Sequence, residues 1–211
     1  MHIRQANKSD AHALGQLVFS SAPDSLAAIF DINEELSAIN FLCESLLSSD
    51  GQYGYANHWV AEIDNQVVGC FSAWHDDLPK IFHQSTLTML ISFYGIAQAL
   101  SIVQASQTLQ YCIPKPKKHE WCIGHFAVLA QYQKQGVGTA LLKLMQQQAL
   151  TSSKLVLSLD VDCDNDHALN FYLGQGFVVT NKSGVSPKMQ ALGIGSHLHM
   201  NRALYPLTQA L

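Results

Sequence analysis

The sequence predicts an α/β fold: a twisted mixed sheet of about seven strands with helices on both faces. Three observations lead there. Short apolar or alternating runs of strand length recur along the chain, separated by amphipathic stretches of helix length. One buried run, ending before Gln131, passes through a two-glycine loop directly into a helix that begins near Val137. The third is size: 211 residues suffice for one well-cored domain and are short for two, so a single domain over residues 1–211 is expected.

In chain order, Ile3–Ala6 is the first strand, and Ser9 or Asp10 caps a helix that begins near Ala11 and fades before Pro23. The spacing of Leu36, Ile39, Phe41, Leu42 and Leu46 predicts a second helix over Asn33–Leu47, which polar Ser48–Gly51 ends. Trp59–Ile63 and Val67–Trp74 flank Asp64-Asn65-Gln66 and read as a hairpin. Leu87–Val103 is apolar nearly all round, although Ser92, Gly95, Gln98 and Ser101 interrupt it. It is read as one long helix, buried in the core or a dimer contact, because a membrane span needs about 20 mainly apolar residues. It is also placed to act as a lid over an acceptor pocket. Pro114–Lys118 follows as a stiff, solvated connector, closing an insert of roughly 76–118 ahead of the fourth strand.

Val137, Ala140, Leu141, Leu144 and Met145 then mark the helix after the glycine loop. Leu155, Leu157, Leu159 and Val161 alternate with Val156, Ser158, Asp160 and Asp162, the pattern of a half-buried strand. Asp164 or Asn165 caps a helix carrying Ala168, Phe171 and Tyr172, which stops at Gly174 or Gly176. Phe177–Thr180 and His197–Leu204 are the last two strands.

Composition narrows the function classes. Twelve basic residues against sixteen acidic ones give a net charge of −4, which is no footprint for nucleic acid. The five cysteines are odd in number, widely spaced and form no Cys-x-x-Cys, so neither a disulfide framework nor a zinc site is suggested. With an N-terminus that lacks the pattern of a signal peptide, the expectation is a reduced, cytoplasmic setting.

A strand, a glycine loop and a helix in immediate succession aim backbone N–H groups and the positive end of a helix dipole at one point, which suits a diphosphate. Gln133-x-x-Gly136-x-Gly138 is neither a Walker loop nor a dinucleotide fingerprint, and alone it is a tight turn before a helix. A second block raises its meaning: Leu157-x-Leu159-x-Val161-x-x-x-Asn165-x-x-Ala168-x-x-x-Tyr172-x-x-x-Gly176-Phe177.

With both blocks in this order, the chain resembles the GNAT superfamily of acyl-CoA-dependent N-acetyltransferases. The resemblance covers the topology from Ile3 to Leu204, and its specific parts are Phe126–Thr139 and Leu157–Phe177. It implies a GNAT-like sheet splayed between strands 4 and 5, with an extra helix inserted between strands 3 and 4. It implies acetyl-CoA as co-substrate, held at its pyrophosphate by Gln133, Lys134, Gln135, Gly136, Val137, Gly138 and Thr139. Phe126, Ala127 and Val128, at the end of the fourth strand, would bind the pantetheine and polarise the thioester carbonyl, with Asn165 nearby. Asn165 is equally a helix cap, and the two roles are compatible. Tyr172 matches the tyrosine that protonates the departing thiolate. No metal is required.

The general base is left open. Family members often carry it at the positions of Cys122 and Gly124, where neither residue here can serve. Glu120, on the same strand face, is one candidate, and the resemblance implies Asp160 as the other, since some protein-acetylating members of that family carry a glutamate base at that place on the fifth strand. His125 is expected on the opposite face unless a bulge turns it, and His197-x-His199 reads as two outward histidines on a strand. Ala130 replaces a frequent proline with little consequence. The expected reaction is direct transfer of an acetyl group to a primary amine of a small molecule or peptide in a ternary complex, with a homodimer possible and neither nucleic acid nor membrane as partner. A non-catalytic acyl-CoA sensor is the alternative, and an enzyme for longer acyl chains seated by the long helix is a second.

Overall fold

The computed structural model describes residues 1–110 and 112–204; Tyr111 and residues 205–211 of the expected domain lie outside the described residues. One seven-stranded sheet runs through it. Its strands are β1 (His2–Gln5), β2 (His58–Ile63), β3 (Gln66–Trp74), β4 (Glu120–Val128), β5 (Val156–Asp162), β6 (Val178–Lys182) and β7 (His197–Ala203). They lie in the order β1-β2-β3-β4-β5-β7-β6, and β4 and β5 pair in parallel.

One face carries α1 (Ala11–Ser21), α2 (Pro23–Phe30), α3 (Ala38–Ser45), α4 (Lys80–Leu109) and α7 (Pro187–Ala191), around a core that includes Leu14, Leu17, Phe41 and Met189. On the other face α5 (Val137–Thr151) and α6 (Asp166–Gly174) cover Leu157, Leu159, Val161 and Met200. The alternation of β5 produces this two-sidedness, since successive side chains point to opposite faces. Arg4 ties β1 to both neighbours, donating to Asp10 at 2.7 Å and to Glu62 at 2.7 Å.

Several expected boundaries shift for physical reasons. Pro23 does not merely stop α1: it is the first residue of α2, where its missing N–H is no loss. The predicted second helix shrinks to Ala38–Ser45. Asn33 Oδ1 instead accepts from the amides of Glu35 and Leu36, an Asx turn that competes with helix, and Ser37 caps α3. The single long helix becomes Lys80–Leu109, and it is not continuous. Gly95, at φ 77° and ψ 165°, takes a conformation that only glycine adopts readily, so two helical segments meet there.

By length and composition α4 could cross a membrane, with a mean hydropathy of 1.6 over its most apolar stretch. The break at Gly95 interrupts its backbone ladder, which hydrocarbon penalises. It also buries Leu90, Tyr94, Ala99 and Ile102 against the rest of the protein, while Ile81, Ile96 and Leu100 stay exposed.

Candidate active site

Between β4 and β5 the sheet opens. Only Glu120, Trp121 and Cys122 pair, with Val156, Leu157 and Ser158, although β4 continues to Val128 and β5 to Asp162. The strands therefore form a V with its apex at Cys122 and Ser158. β4 also bulges against β3: Gly124 faces Ser72 and Ala127 faces Cys70, so His125 and Phe126 together oppose Phe71. Backbone N–H and C=O groups beyond the apex are released from the β4–β5 ladder and face the gap.

The glycine loop closes the wide end of the V. Lys134 (φ 58°) and Gly136 (φ 84°) adopt left-handed conformations that turn the chain into α5. Gln133 does not point outward with its amide; its Nε2 donates to Val128 O at 3.1 Å and fastens the loop to β4. No side chain caps α5, and the first paired amide is that of Ala140, which donates to Gly136 O. The amides of Val137, Gly138 and Thr139 consequently have no acceptor among the described residues. Three free N–H groups and the helix dipole converge here, an anion cradle. Gly138 also packs closely: a Cβ there would meet the Phe171 ring at 3.0 Å, and the ring would have to give.

Phe171 joins the two sequence blocks. It stacks on Phe126 of β4 at 5.8 Å and contacts Tyr172 at 5.3 Å. Tyr172 is 7% exposed and is ringed by Phe126, Phe171 and Phe177, and burial pushes its phenol up, so it stays protonated at neutral pH. Asn165 caps α6 by accepting from the Ala168 amide at 3.0 Å, and its NH₂ group has no acceptor among the described residues.

The opposite face of the apex is polar. Asp160 lies two residues past Ser158, and its Oδ1 accepts from His199 Nδ1 at 2.8 Å, both side chains being buried. The expectation that His197 and His199 point outward is overturned: they are 6% and 8% exposed, and His199 is bonded to Asp160. Asp160 Oδ2, Ser158 Oγ, Ser72 Oγ and Asn201 Oδ1 are buried without a hydrogen-bond partner among the described residues, and all belong to this face by strand register. Glu120 opens β4, where its Oε2 accepts from the Lys117 amide at 2.8 Å and its Oε1 lies 3.6 Å from Lys117 Nζ. Its second oxygen is thus within ion-pair range but beyond hydrogen-bond reach. Burial pushes the Cys122 thiol up to about 12, so the apex cysteine is no thiolate.

The GNAT acetyltransferase family model matches residues 27–177, well over half of the chain. The chain belongs to the GNAT acetyltransferase family. It is an acyltransferase, and acyl-CoA-dependent acetyl transfer is the chemistry of this family. A solved acetyltransferase structure shares 24% identity and a TM-score of 0.68, covering 97% of this chain and 100% of its own. An N-acetyltransferase from Staphylococcus aureus Mu50 shares 19% identity with a TM-score of 0.64, covering 96% and 100%. The paia N-acetyltransferase of Thermoplasma acidophilum, solved with coenzyme A, shares 15% identity with a TM-score of 0.53, covering 96% and 98%. No curated protein matches the sequence.

Two further groups in this GNAT chain belong to its architecture. His75, Asp76 and Asp77 bring three ligand atoms within 4.8 Å of one another, yet Lys154 Nζ sits 2.6 Å from both carboxylates and supplies the positive charge. Lys154 also donates to Lys118 O at 2.9 Å. Burial alone would lower its pKa, but the two carboxylates outweigh it and hold the ammonium charged.

The Asp160–His199 pair has a pH signature. The hydrogen bond that His199 Nδ1 donates to Asp160 raises the His199 pKa above its ordinary value. A raised folded-state pKa gives stability that is complete below about pH 6.5 and fades as pH rises through the raised value. Asp160→Asn should therefore lower Tm more at about pH 5.5 than at about pH 9. Equal losses at both pH values in a calorimetric melt would show that the pair is uncharged.

Proposed function

We propose that this protein transfers an acetyl group from acetyl-CoA to a primary amine by direct attack in a ternary complex. The observation that carries the reading is the buried Asp160–His199 pair beside the apex, with Asp160 Oδ2 unpartnered among the described residues. An amine arrives at neutral pH as an ammonium, rich in donors, and the orphaned carboxylate oxygen is an acceptor that lacks one. Asp160 receives that ammonium and takes its first proton on the free carboxylate oxygen, while His199 donates to the other oxygen and holds the carboxylate in place. Glu120, tied to Lys117, is a second carboxylate at this end of β4 and holds the connector against the strand.

The amides of Val137, Gly138 and Thr139, with Lys134 and the backbone of Gln135 and Gly136, suit the CoA pyrophosphate. Phe126, Ala127 and Val128 suit the pantetheine arm along the open edge of β4, with Asn165 at the start of the next helix. Tyr172 is the acid for the thiolate. CoA-bound relatives of this fold support the choice of co-substrate.

Calorimetry with CoA and acetyl-CoA tests the first half, and binding should appear as heat and as a raised Tm. Absence of both would end the proposal. Release of free CoA should then require an amine, in a panel of polyamines, aminoglycosides, amino acids and peptides. Initial-rate lines should intersect; parallel lines would indicate a covalent acyl-enzyme instead of a ternary complex. Binding with no transfer to any amine would favour the acyl-CoA sensor.

A further inference from the structure

The bulge in β4 delivers a side chain that neither the glycine loop nor the Asp160–His199 pair uses. His125 sits at φ 46°, a left-handed conformation that costs a non-glycine residue about 1 kcal/mol or more. The extra residue in the strand turns His125 away from Phe126 and Val128, which pack toward α5 and α6, and onto the face of Tyr53 and His58. It lies past the apex, in the part of β4 that has left β5.

Its proton positions follow from its neighbours. His58 is wholly buried, and its Nδ1 lies 2.9 Å from Gly54 O. A carbonyl only accepts, so Nδ1 carries the hydrogen and Nε2 keeps its lone pair. His125 Nδ1 lies 2.9 Å from that lone pair and must donate to it. The assignment leaves His125 Nε2 with a lone pair and no hydrogen-bond partner among the described residues. Packing then fixes the ring: Tyr53 stacks on it at 5.5 Å and Trp74 meets it edge-on at 5.8 Å. Trp74 is itself the partner of Cys122 at the apex and lies across Gly124, where any Cβ would collide with its ring.

We infer that His125 Nε2 is the base that takes the second proton from the acceptor nitrogen, and that His58 is the positioning residue that fixes its tautomer. This rests on the acetyl-transfer reading above. Attack by the free amine forms the C–N bond and moves the carbonyl electron pair onto oxygen, leaving the nitrogen positively charged. That N–H proton passes to His125 Nε2. The C–S bond then breaks with its electron pair going to sulfur, and Tyr172 O–H protonates the thiolate. His125 returns its proton through water to the Tyr172 phenolate, so amine and thioester become amide and thiol with nothing left over.

A base must be vacant to act, and both imidazoles are kept so. Burial lowers His58 to about 4, and burial together with the neighbouring His58 takes His125 well below its ordinary value. The other titratable groups against His125 are the Tyr53 phenol and the Cys70 thiol, whose Sγ donates to His125 O at 3.1 Å. Burial pushes both up, so neither carries charge at neutral pH.

The test uses His125→Asn and His58→Gln in the full chain, with acetyl-CoA and the best amine from the panel. Asparagine tolerates left-handed φ, so the bulge should survive, with Tm and acetyl-CoA affinity as the check. His125→Asn should keep that affinity and lose about 10²-fold in kcat. In His58→Gln the amide still donates to Gly54 O and accepts from His125, but the neighbouring imidazole is gone, so the acidic limb of the pH–rate profile should move to higher pH. Wild-type kcat in His125→Asn, or an unmoved acidic limb in His58→Gln, overturns the assignment. A wild-type protein that acetylates no amine fails the underlying reading as well, and that outcome is distinct from an active wild type with an equally active His125→Asn.

Discussion

Tyr172→Phe should lower kcat by about 10²-fold and leave acetyl-CoA affinity within about twofold, the pattern expected when only a proton donor is removed. The geometry separates the two roles of this side chain. Its ring is held by Phe126 at 6.0 Å, Phe171 at 5.3 Å and Phe177 at 5.5 Å, contacts that phenylalanine keeps. Its hydroxyl is the only part lost, and burial holds that hydroxyl protonated, as an acid for a thiolate must be. Single-turnover measurements should place the loss in the chemical step. Unchanged turnover would remove Tyr172 from the reaction and leave it a core residue.

Gly138→Val should weaken CoA binding by about 10²-fold, because two charge-assisted amide contacts at about 1.5 kcal/mol each amount to roughly that factor. A Cβ at this position meets Phe171 at 3.0 Å, and the branched methyls extend the collision, so the first turn of α5 must shift and its amides with it. Gly136→Asn is the control. Its Cβ would meet nothing within 4 Å, and asparagine accepts the left-handed φ of 84°. Calorimetry showing equal losses for both would mean that φ at the loop, and not close approach at Gly138, governs the cradle.

The sheet, the glycine loop and α5 were legible in the sequence because each rests on a local periodicity or on glycines at fixed spacing. α2 was not, since Pro23 reads as a stop until it is placed at the first position of the next helix. The pairing of β5 with β7 is non-local, and it decides whether a polar alternation faces water or a partner. Asp160 opposite His199 makes the polar side of β5 a buried network instead of a solvated surface. His125 escaped for a different reason: period-two alternation fails at a bulge, so the face of its side chain depends on the β3 register. Of the two base expectations, Glu120 was read from alternation and Asp160 from the family resemblance, and their partners Lys117 and His199 emerged only from the fold.

Lys154 carries a consequence for how such a chain tolerates its insert. One buried ammonium holds Asp76 and Asp77, where the chain leaves β3, and the carbonyl of Lys118, where it returns to β4. The ends of α4's excursion are thus clasped at a common point, and lengthening a loop whose ends are already fixed adds little entropy cost. From the sheet's side, the excursion behaves as a short bridge. The open V of the sheet and the appended helix can diverge in sequence independently, with one lysine as the seam between them.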